Sequence, residues 1–456
     1  MEMGGPNMSM TDDVPVHLRG NGRPTDQEHT ITDLAVTGSL PPELDGRYFR
    51  NGANPLSGTS DHPFFGDGMV HGVRLRDGQA EWYRNRYVRT PYIDNPDIDI
   101  LDPAVMTDMR ASKANTHVVG HAGRILALEE GHFPYQIDGS LDTIGALDFG
   151  GKLTGSFTAH PKICPVTGEL IAFGYSVLEP YLRYLRVSAD GELVQSEEIT
   201  VGGPTMMHDF NITDKHVIFM DLPAVFDLEL AMQGEMPIRW SDTYPARLGV
   251  LPRTGTDSDV RWFDIDPCYV FHPMNAYEDG DKIVLDVARL SHIWRDSMMD
   301  FPAPELWRFT IDTASGKVHE QQLDDRPAEF PRVPDSKIGL RHRYGYMLGL
   351  PENQSYDDVA DEPGTLLKYD LDTGSSTAID LGRGVVPGEP VFVPAESASA
   401  EDDGYLMTFA YDSSTDSSRF VVFDAATMDD TPLASIELPR IPFGFHGSWI
   451  PNDVAS

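Results

Sequence analysis

The stretch FTAHPKICPVTGELIAFGY, residues 157–175, reads as a β-hairpin that begins beside a histidine. After His160 a short apolar run leads to Pro-Val-Thr-Gly at residues 165–168, which is typical of a turn. A second apolar run then ends at Tyr175. The pattern predicts two paired strands, with His160 at the inner end of the first.

Similar strand–turn–strand patterns recur along nearly the whole chain. Gly-containing tips separate apolar runs in VRLRDGQAEWY, YLRVSADGELVQS, NAYEDGDKIVLDVA, RFTIDTASGKVHEQ, KYDLDTGSSTAIDL and AEDDGYLMTFAY. Helical patterns are scarce. The two best lie at residues 223–236 and 290–301, and both are short and rich in methionine and aromatic residues. The chain is therefore predicted to be all-β.

Polar residues next to strand-breaking residues follow one another at a rough period. Successive members are separated by 48 to 64 residues: His160, His208, His272, Glu329, Glu389 and His446. A four-stranded propeller blade takes about 40–50 residues, and more where its loops are long. The spacing fits one polar residue on the innermost strand of each blade, pointing at a common axis. A chain of 456 residues then gives a seven-bladed β-propeller.

The composition limits the partners of the chain. It holds 72 acidic and 35 basic residues, a net charge of −37, with 40% hydrophobic residues. A surface this acidic repels nucleic acid and anionic lipid, so DNA and RNA are excluded and membrane contact is at most transient and peripheral. The hydrophobic fraction is typical of a folded globular protein.

The ends and the cysteines of the chain give further expectations. Residues 1–30 are polar and rich in Gly and Pro, which predicts a loosely ordered arm, with residues 31–456 forming one propeller domain. No signal-like apolar segment and no run of 18 apolar residues is present. The two cysteines indicate no disulfide framework, so a reducing, cytoplasmic location is expected.

Four of the fifteen histidines differ from the rest by their context. His160, His208, His272 and His446 each adjoin Pro, Gly or Asp and have apolar neighbours. Four converging buried imidazoles are costly unless a metal satisfies them, and imidazole suits Fe, Zn, Cu or Ni. The remaining histidines in polar contexts, including His62, are expected at the surface.

Three glutamates have contexts unusual for solvated acids. Glu130, Glu329 and Glu389 are each followed within a few residues by Pro or an aromatic residue. Carboxylates near a metal site can bind the far N–H of ligating imidazoles and offset the charge of the ion. Ordinary turn glutamates remain the alternative for each of them.

The chain resembles the carotenoid cleavage oxygenase family, which is also called the carotenoid and stilbene oxygenase or retinal pigment epithelium protein family. The resemblance extends from LDGRYFRNGANP at residues 44–55 to IPFGFHGSWIP at residues 441–451. Between them lie HPFFGDGMVHGV, FTAHPKICPVTGELIAFGY, MMHDFNITDKHVIFMDLP, FHPMNAYEDGDKIVLDVAR, RYGY and GEPVFVP.

The resemblance implies a seven-bladed propeller with Fe(II) on its axis, bound by His160, His208, His272 and His446. It also implies that Glu130, Glu329 and Glu389 hold three of the rings, and that O2 cleaves a conjugated C=C bond into two carbonyl products. The helical insertions would cap the top face and enclose an apolar tunnel. Candidate tunnel residues are Phe64, Phe65, Phe133, Tyr135, Met206, Met207 and Trp294, each of which could equally be core.

The substrate stays open between two branches of the family. The stilbene branch typically has a lysine immediately before the first of the three glutamates, paired with a tyrosine, whereas this chain has Glu129 there. A carboxylate does not stabilise a phenolate as an ammonium does. Tyr92 is available but has no assigned position. Carotenoid or apocarotenoid cleavage is therefore favoured over cleavage of a phenolic stilbene or phenylpropene. A non-catalytic propeller that binds a partner is the alternative from another class.

Overall fold

The computed structural model describes residues 14–98, 102–233, 237–297, 300–351, 363–452 and 454. Within them, antiparallel sheets follow one another as the seven blades of a β-propeller, with one additional two-stranded hairpin. The predicted all-β, seven-bladed fold is confirmed. The strands are numbered β1 to β33 in chain order.

Thirteen strands lie in the first part of the chain: β1 Thr30–Ile31, β2 Val36–Gly38, β3 Gly46–Arg50, β4 Met69–Arg76, β5 Gln79–Tyr87, β6 His117–His121, β7 Arg124–Leu128, β8 Tyr135–Ile137, β9 Thr143–Ala146, β10 Lys162–Ile163, β11 Leu170–Tyr175, β12 Leu182–Val187 and β13 Leu193–Ile199. Blade 1 has the order β1-β5-β4-β3-β33, blade 2 comprises β6 to β9, and blade 3 comprises β10 to β13.

The middle of the chain contributes β14 Asn211–Ile212, β15 His216–Asp221, β16 Ala224–Phe226, β17 Ile238–Trp240, β18 Arg247–Pro252, β19 Arg261–Asp264, β20 Tyr269–Asp279, β21 Lys282–Leu290, β22 Glu305–Asp312 and β23 Lys317–Asp324. Blade 4 has the order β14-β15-β18-β19, and the hairpin of β16 and β17 is inserted into it. Blade 5 comprises β20 to β23.

The last part contains β24 Ala328–Arg332, β25 Tyr344–Gly349, β26 Pro363–Asp370, β27 Ser375–Arg383, β28 Val385–Pro387, β29 Val391–Pro394, β30 Gly404–Asp412, β31 Ser417–Asp424, β32 Ala434–Leu438 and β33 Gly447–Pro451. Blade 6 comprises β24 to β27. Blade 7 has the order β2-β32-β31-β30, and both β28 and β29 pair with β30.

Strands from the two ends of the chain close the ring. The C-terminal β33 pairs with β3 in blade 1, and the N-terminal β2 pairs with β32 in blade 7. Two blades are therefore each completed by a strand from the opposite end of the chain, which leaves no open seam between blade 7 and blade 1.

The turn chemistry explains why the strands end where they do. Between β4 and β5, Asp77 and Gly78 both have positive φ angles, 49° and 70°. Two consecutive residues with positive φ are typical of a type I′ turn, which Asp-Gly favours and whose twist matches paired strands. The hairpin predicted from residues 157–175 likewise forms, with β10 paired to β11.

Hydrophobic cores lie between neighbouring blades because the sheets are apolar on both faces. Between blades 3 and 4, for example, Phe173, Tyr184, Phe210 and Phe219 are fully buried in one cluster. Burying one such side chain contributes about 1.5–3 kcal/mol. Blade-on-blade packing of this kind fixes the inner strands around the axis.

The described helices are short: α1 Pro91–Asp94, α2 Pro103–Met106 and α3 Leu228–Gln233. The helix predicted at 223–236 is reduced to α3 between two strands, and residues 234–236 lie outside the described residues. None of the three reaches the length and hydropathy needed to cross a bilayer.

The helix predicted at 290–301 is wrong for the residues described there. They form bends, and residues 298 and 299 lie outside the described part. Trp294 has a left-handed backbone, φ 48°, and the Asp300 carboxylate accepts from the backbone N–H groups of Arg295 and Asp296. These interactions favour a turn over a helix.

Residues 14–30 of the predicted arm contact the propeller. The backbone N–H of Thr25 donates to Asn54, and the N–H of His29 donates to Asn85. Arg23 forms an ion pair with Asp416 of blade 7. Residues 1–13 lie outside the described residues.

Candidate metal centre

The four histidines lie at the starts of innermost strands. His160 and His208 shortly precede β10 and β14, and His446 immediately precedes β33. His272 lies within β20, where the pairing with β21 shifts register between Val270 and Pro273. Each histidine therefore comes from a different blade and points toward the same axis.

The four rings meet in one buried cluster. Ring centroids are 4.5 Å apart for His160 and His208, and 4.9 Å apart for His208 and His272. His446 is 4.7 Å from both His272 and His160. Ring nitrogens of His160, His272 and His446 lie within 4.8 Å of one another, which is a spacing that one metal ion can bridge.

Three carboxylates hold the outer nitrogens of three rings. Glu329 lies 2.7 Å from Nδ1 of His272, and Glu389 lies 3.0 Å from Nδ1 of His446. Glu130 contacts Nδ1 of His208. A carboxylate that accepts from Nδ1–H leaves the lone pair of Nε2 free for a cation. The structure therefore pairs each of the three glutamates singled out in the sequence with one of the four clustered histidines.

Further contacts fix these carboxylates. Tyr175 O–H donates to Glu130 at 2.5 Å, and the backbone N–H of Phe330 donates to Glu329. The backbone N–H of Gly447 donates to Glu389 at 2.8 Å, and Arg332 lies 3.3 Å from the same oxygen. Each glutamate is thus oriented by a second donor besides its histidine.

The neutral state of His160 and His446 favours cation binding. Burial, followed by the neighbouring imidazoles, lowers the pKa of His160 and of His446 well below its ordinary value, so both rings are neutral. Burial also acts to lower the pKa of His272, but the Glu329 charge outweighs it and the pKa is raised. Glu329 thus supports positive charge at this point of the cluster.

Unpartnered nitrogens test whether the cluster fits a metal. Nε2 of His208 and Nε2 of His272 face each other at 3.1 Å, although both carry lone pairs when Nδ1 donates to a glutamate. Nε2 of His160 is buried, and no described residue forms a hydrogen bond with it. Facing lone pairs repel unless a cation lies near both, and an all-imidazole donor set suits a first-row transition metal. The residues present therefore fit a divalent metal ion.

His160 differs from the other three histidines in its outer partner. Its Nδ1 lies 3.9 Å from Asp209, too far for a direct hydrogen bond. Asp209 is buried and forms an ion pair with Lys162 at 2.8 Å. Burial raises the pKa of Asp209, partly offset by the Lys162 charge. A charged pair thus stands where the other histidines have a glutamate.

A cavity of about 370 Å³ adjoins the histidine cluster. Its lining includes His160, His272 and His446 of the cluster, and the charged side chains Lys162, Asp209, Arg332, Asp335 and Glu389. Such a cavity is roomy and polar enough for ordered water. A water can therefore bridge Asp209 and His160 across their 3.9 Å separation.

His117 is a residue of the axis that sequence reasoning missed. It starts β6, the innermost strand of blade 2, and its ring lies 5.2 Å from that of His446. Its Nδ1 lies 3.0 Å from the carbonyl of Ala159, and its Nε2 lies 3.1 Å from the Ser448 hydroxyl. Because both nitrogens have protein partners, His117 is a structural neighbour of the cluster rather than a ligand.

An aromatic cluster extends from the histidines. We use this term for His62, Phe64, Phe65, Phe271, Trp294, Phe301 and Phe445. The Phe271 ring lies 5.2 Å from that of His208. Phe64 lies 6.4 Å from Phe271, 5.8 Å from Phe445 and 6.5 Å from Trp294. Three residues predicted to line the tunnel, Phe64, Phe65 and Trp294, belong to this cluster.

The other four tunnel candidates lie in cores between blades. Met206 packs in the same core as Phe271 and Trp294. Met207 packs between blades 3 and 4, and Phe133 between blades 2 and 3. Tyr135 is buried and donates its O–H to the carbonyl of Arg110. Sequence reasoning also missed Phe271, the ring between His208 and Trp294.

Glu129, at the position where the stilbene branch has lysine, is paired internally. His132 Nδ1 lies 2.5 Å from its carboxylate. Burial alone would raise the pKa of Glu129, but the hydrogen bond and charge of His132 lower it below its ordinary value. Tyr92, which the sequence left unplaced, lies under Lys113, whose amine is 4.3 Å from the ring centre.

Comparison with known proteins is consistent with this architecture. The family described as Retinal pigment epithelial membrane protein matches residues 22–451. The carotenoid cleavage oxygenase of Mycobacterium tuberculosis is 40% identical over 490 residues, covering 96% of this chain and 97% of that protein. The chain belongs to the carotenoid cleavage oxygenase family. The predicted family, and with it the prediction of an oxygenase, is confirmed.

Further relatives of this family span both substrate branches by name. Carotenoid 9,10(9′,10′)-cleavage dioxygenase 1 of Arabidopsis thaliana is 36% identical, covering 96% of this chain and 91% of that protein. The lignostilbene dioxygenase structure of Pseudomonas brassicacearum has a TM-score of 0.87 and 29% identity, covering 99% and 100% of the two chains. A cobalt-substituted Synechocystis ACO structure has a TM-score of 0.84 and 28% identity, covering 96% and 98%.

Proposed function

We propose that the chain is a non-haem Fe(II) dioxygenase that cleaves a conjugated C=C bond of a carotenoid or apocarotenoid with O2, giving two carbonyl products. The observation that carries the proposal is the convergence of four buried imidazoles, three of them oriented by glutamates. Family membership and a 40% identical relative named as a carotenoid cleavage oxygenase support the reaction class.

The protein's own residues supply binding and orientation. His160, His208, His272 and His446 would hold the iron, and Glu130, Glu329 and Glu389 would keep three rings aligned. Iron held by these four imidazoles would supply the chemistry that activates O2. No protein nucleophile and no acid–base pair is required.

The aromatic cluster supplies the environment for an apolar substrate. Phe271 contacts His208 directly, and Phe64 and Trp294 extend the apolar surface away from it. Planar rings pack against a planar polyene and exclude water from the reacting bond. The aromatic cluster would therefore place an apolar conjugated alkene next to the histidines.

A second candidate, cleavage of a phenolic stilbene, is supported by the structural similarity to lignostilbene dioxygenase. The pair of Glu129 and His132 stands against it. An ionised carboxylate at this position repels a phenolate, and the charge of His132 is already taken up by Glu129, so the pair does not replace the free ammonium of a lysine. The polyene is therefore the favoured substrate.

The test combines metal analysis with a substrate screen. Purified protein should contain about one iron per chain, and His208→Ala should lose both the iron and the cleavage activity. The exposed His319 on β23 provides the matched control, because His319→Ala removes an imidazole far from the cluster. Carbonyl products from an apocarotenal series and a hydroxystilbene series are compared by mass spectrometry under ¹⁸O2.

The outcomes separate the alternatives. Labelled aldehydes from the polyenes support the proposal, whereas products from the stilbenes alone assign the second candidate. An iron-loaded protein that cleaves neither series would support a non-catalytic propeller. Equal iron loss in His319→Ala would contradict the assignment of the ligands.

A further inference from the structure

His62 was expected at the surface, but it is buried inside the aromatic cluster. Only 1% of the residue is exposed, and its ring packs against Phe64 at 4.7 Å, Phe65 at 5.2 Å and Trp294 at 6.0 Å. Burial lowers the pKa of His62 to about 4, so the ring is neutral. An aromatic wall therefore contains a neutral imidazole.

The proton of His62 can be assigned to Nε2. The backbone N–H of Phe64 donates to Nδ1 of His62 at 3.3 Å, so Nδ1 is the acceptor nitrogen. A neutral imidazole with an accepting Nδ1 carries its proton on Nε2. This Nε2–H group is buried and has no hydrogen-bond partner among the described residues.

Trp294 presents a second unpartnered donor in the same cluster. The residue is 3% exposed, and within the described part of the chain its indole Nε1–H also has no hydrogen-bond partner. Its backbone φ of 48° lies in the left-handed region, which is a strained conformation for a bulky residue. Backbone strain persists where surrounding structure enforces it, often at ligand sites. The surrounding structure therefore keeps Trp294 in an unfavourable backbone conformation.

Two missing hydrogen bonds are unusual in a protein interior. Each unsatisfied buried donor costs about 1–3 kcal/mol, and such a group calls for an explanation. The ring centroids of His62 and Trp294 are 6.0 Å apart, which is short enough for one small acceptor to serve both rings. Trp294 in turn lies one ring, that of Phe271, from His208.

The chemistry of the pair selects the acceptor. Both groups donate and neither accepts, so a carbonyl oxygen with two lone pairs satisfies both. A hydroxyl group would leave its own O–H without a partner among these rings, and a hydrocarbon would leave both donors unsatisfied. The pair is thus matched to an aldehyde or a ketone.

We propose that His62 and Trp294 form a donor pair that binds the carbonyl oxygen at one end of the polyene, so that the enzyme prefers a carbonyl-bearing apocarotenoid over the corresponding hydrocarbon. This inference rests on the proposed cleavage of a polyene. Phe65 is 49% exposed and packs on the His62 ring, so this side of the pair lies close to the protein surface.

The test uses iron-loaded protein without oxygen, so that binding is measured without turnover. The ligands are an apocarotenal and the matching polyene with a methyl group in place of the aldehyde. His62→Phe and Trp294→Phe each keep an aromatic ring and remove one N–H. Phe64→Leu is the matched control, because it disturbs the same cluster without removing a donor.

One lost hydrogen bond of about 1–1.5 kcal/mol corresponds to roughly 5- to 12-fold weaker binding. We expect this loss for the apocarotenal in either variant, with less than a twofold change for the hydrocarbon. His62→Gln, which retains an N–H donor, should recover part of the loss. The C=O stretching frequency of the bound aldehyde should be lowered in the wild type and rise in either variant.

Equal losses for both ligands, or an unshifted C=O frequency in the wild type, would overturn the inference. An unfolding curve shows whether Trp294→Phe is folded. If it is not, the inference is tested with His62→Phe alone. If the wild type binds the aldehyde with a shifted frequency but forms no products in air, the donor pair stands and the proposed reaction fails.

Discussion

Replacing Glu389 by Gln should weaken metal binding without unfolding the protein. The two carboxylate oxygens of Glu389 serve different partners: one faces Nδ1 of His446, and the other accepts from the N–H of Gly447 and lies near Arg332. An amide has a single acceptor oxygen, so its NH2 group must face either the imidazole N–H or the Gly447 N–H. In the first case His446 must move its proton to Nε2 and can no longer ligate. In the second, Gly447 and Arg332 lose their acceptor.

A hydrogen bond to a charged group contributes about 1.5–3 kcal/mol. Each 1.4 kcal/mol corresponds to a factor of ten, so the affinity for iron should fall by about 10- to 100-fold. The assay is competition against a chelator of known affinity, followed by metal analysis. Glu278 offers the matched control, because it pairs with Nδ1 of His216 at 2.9 Å away from the axis. An unchanged affinity in Glu389→Gln, or an equal loss in Glu278→Gln, would refute the reasoning.

Three further predictions follow from the same contacts. Tyr175→Phe removes the hydroxyl group that orients Glu130. In the same competition assay, iron binding should weaken about fivefold, which corresponds to about 1 kcal/mol. An unchanged affinity would show that this hydroxyl does not orient the carboxylate. Lys162→Met leaves the Asp209 carboxylate buried and unpaired, so the free energy of unfolding in urea should fall by about 3–5 kcal/mol. The double variant Lys162→Met/Asp209→Asn should recover part of this loss. If the double variant is as unstable as Lys162→Met, the broken ion pair is not the cause. Burial lowers the pKa of His71 and of His117 well below the value in the unfolded chain, so on acidification only the unfolded state takes up these protons. The free energy of unfolding of the metal-free protein, measured in urea, should therefore fall by about 1 kcal/mol per histidine between pH 6.5 and 5.5. An unchanged free energy of unfolding over this range would contradict burial of the two rings in the neutral form.

The propeller and the outline of the metal centre were predictable because they depend on local signals. Asp-Gly and Thr-Gly turns mark the hairpins, and the period of polar residues reports one inner strand per blade. His117, which starts β6, completes this series with a seventh member in blade 2. It was missed because its direct neighbours, Thr116 and Val118, are not strand-breaking residues like those that adjoin the others.

Features that depend on tertiary contacts were not predictable. Glu130 follows β7, the second strand of its blade, so the period of inner strands does not place it at the axis, and only its context and the family resemblance indicated its contact with His208 of blade 4. His62 follows polar residues, yet Trp294, which is distant along the chain, packs on its ring. The helical pattern at 290–301 was overridden by the turn around Asp300.

The position of His446 beside the closing strand has a consequence for the order of assembly. Because β33 pairs with β3 and completes the first blade, the four imidazoles come together only once strands from both ends of the propeller have paired. A metal ion at the cluster would therefore meet its full ligand set only after the ring has closed. Since an ion bound only by the native state stabilises that state, it would then link blades 1, 3, 4 and 5 and resist reopening of the ring.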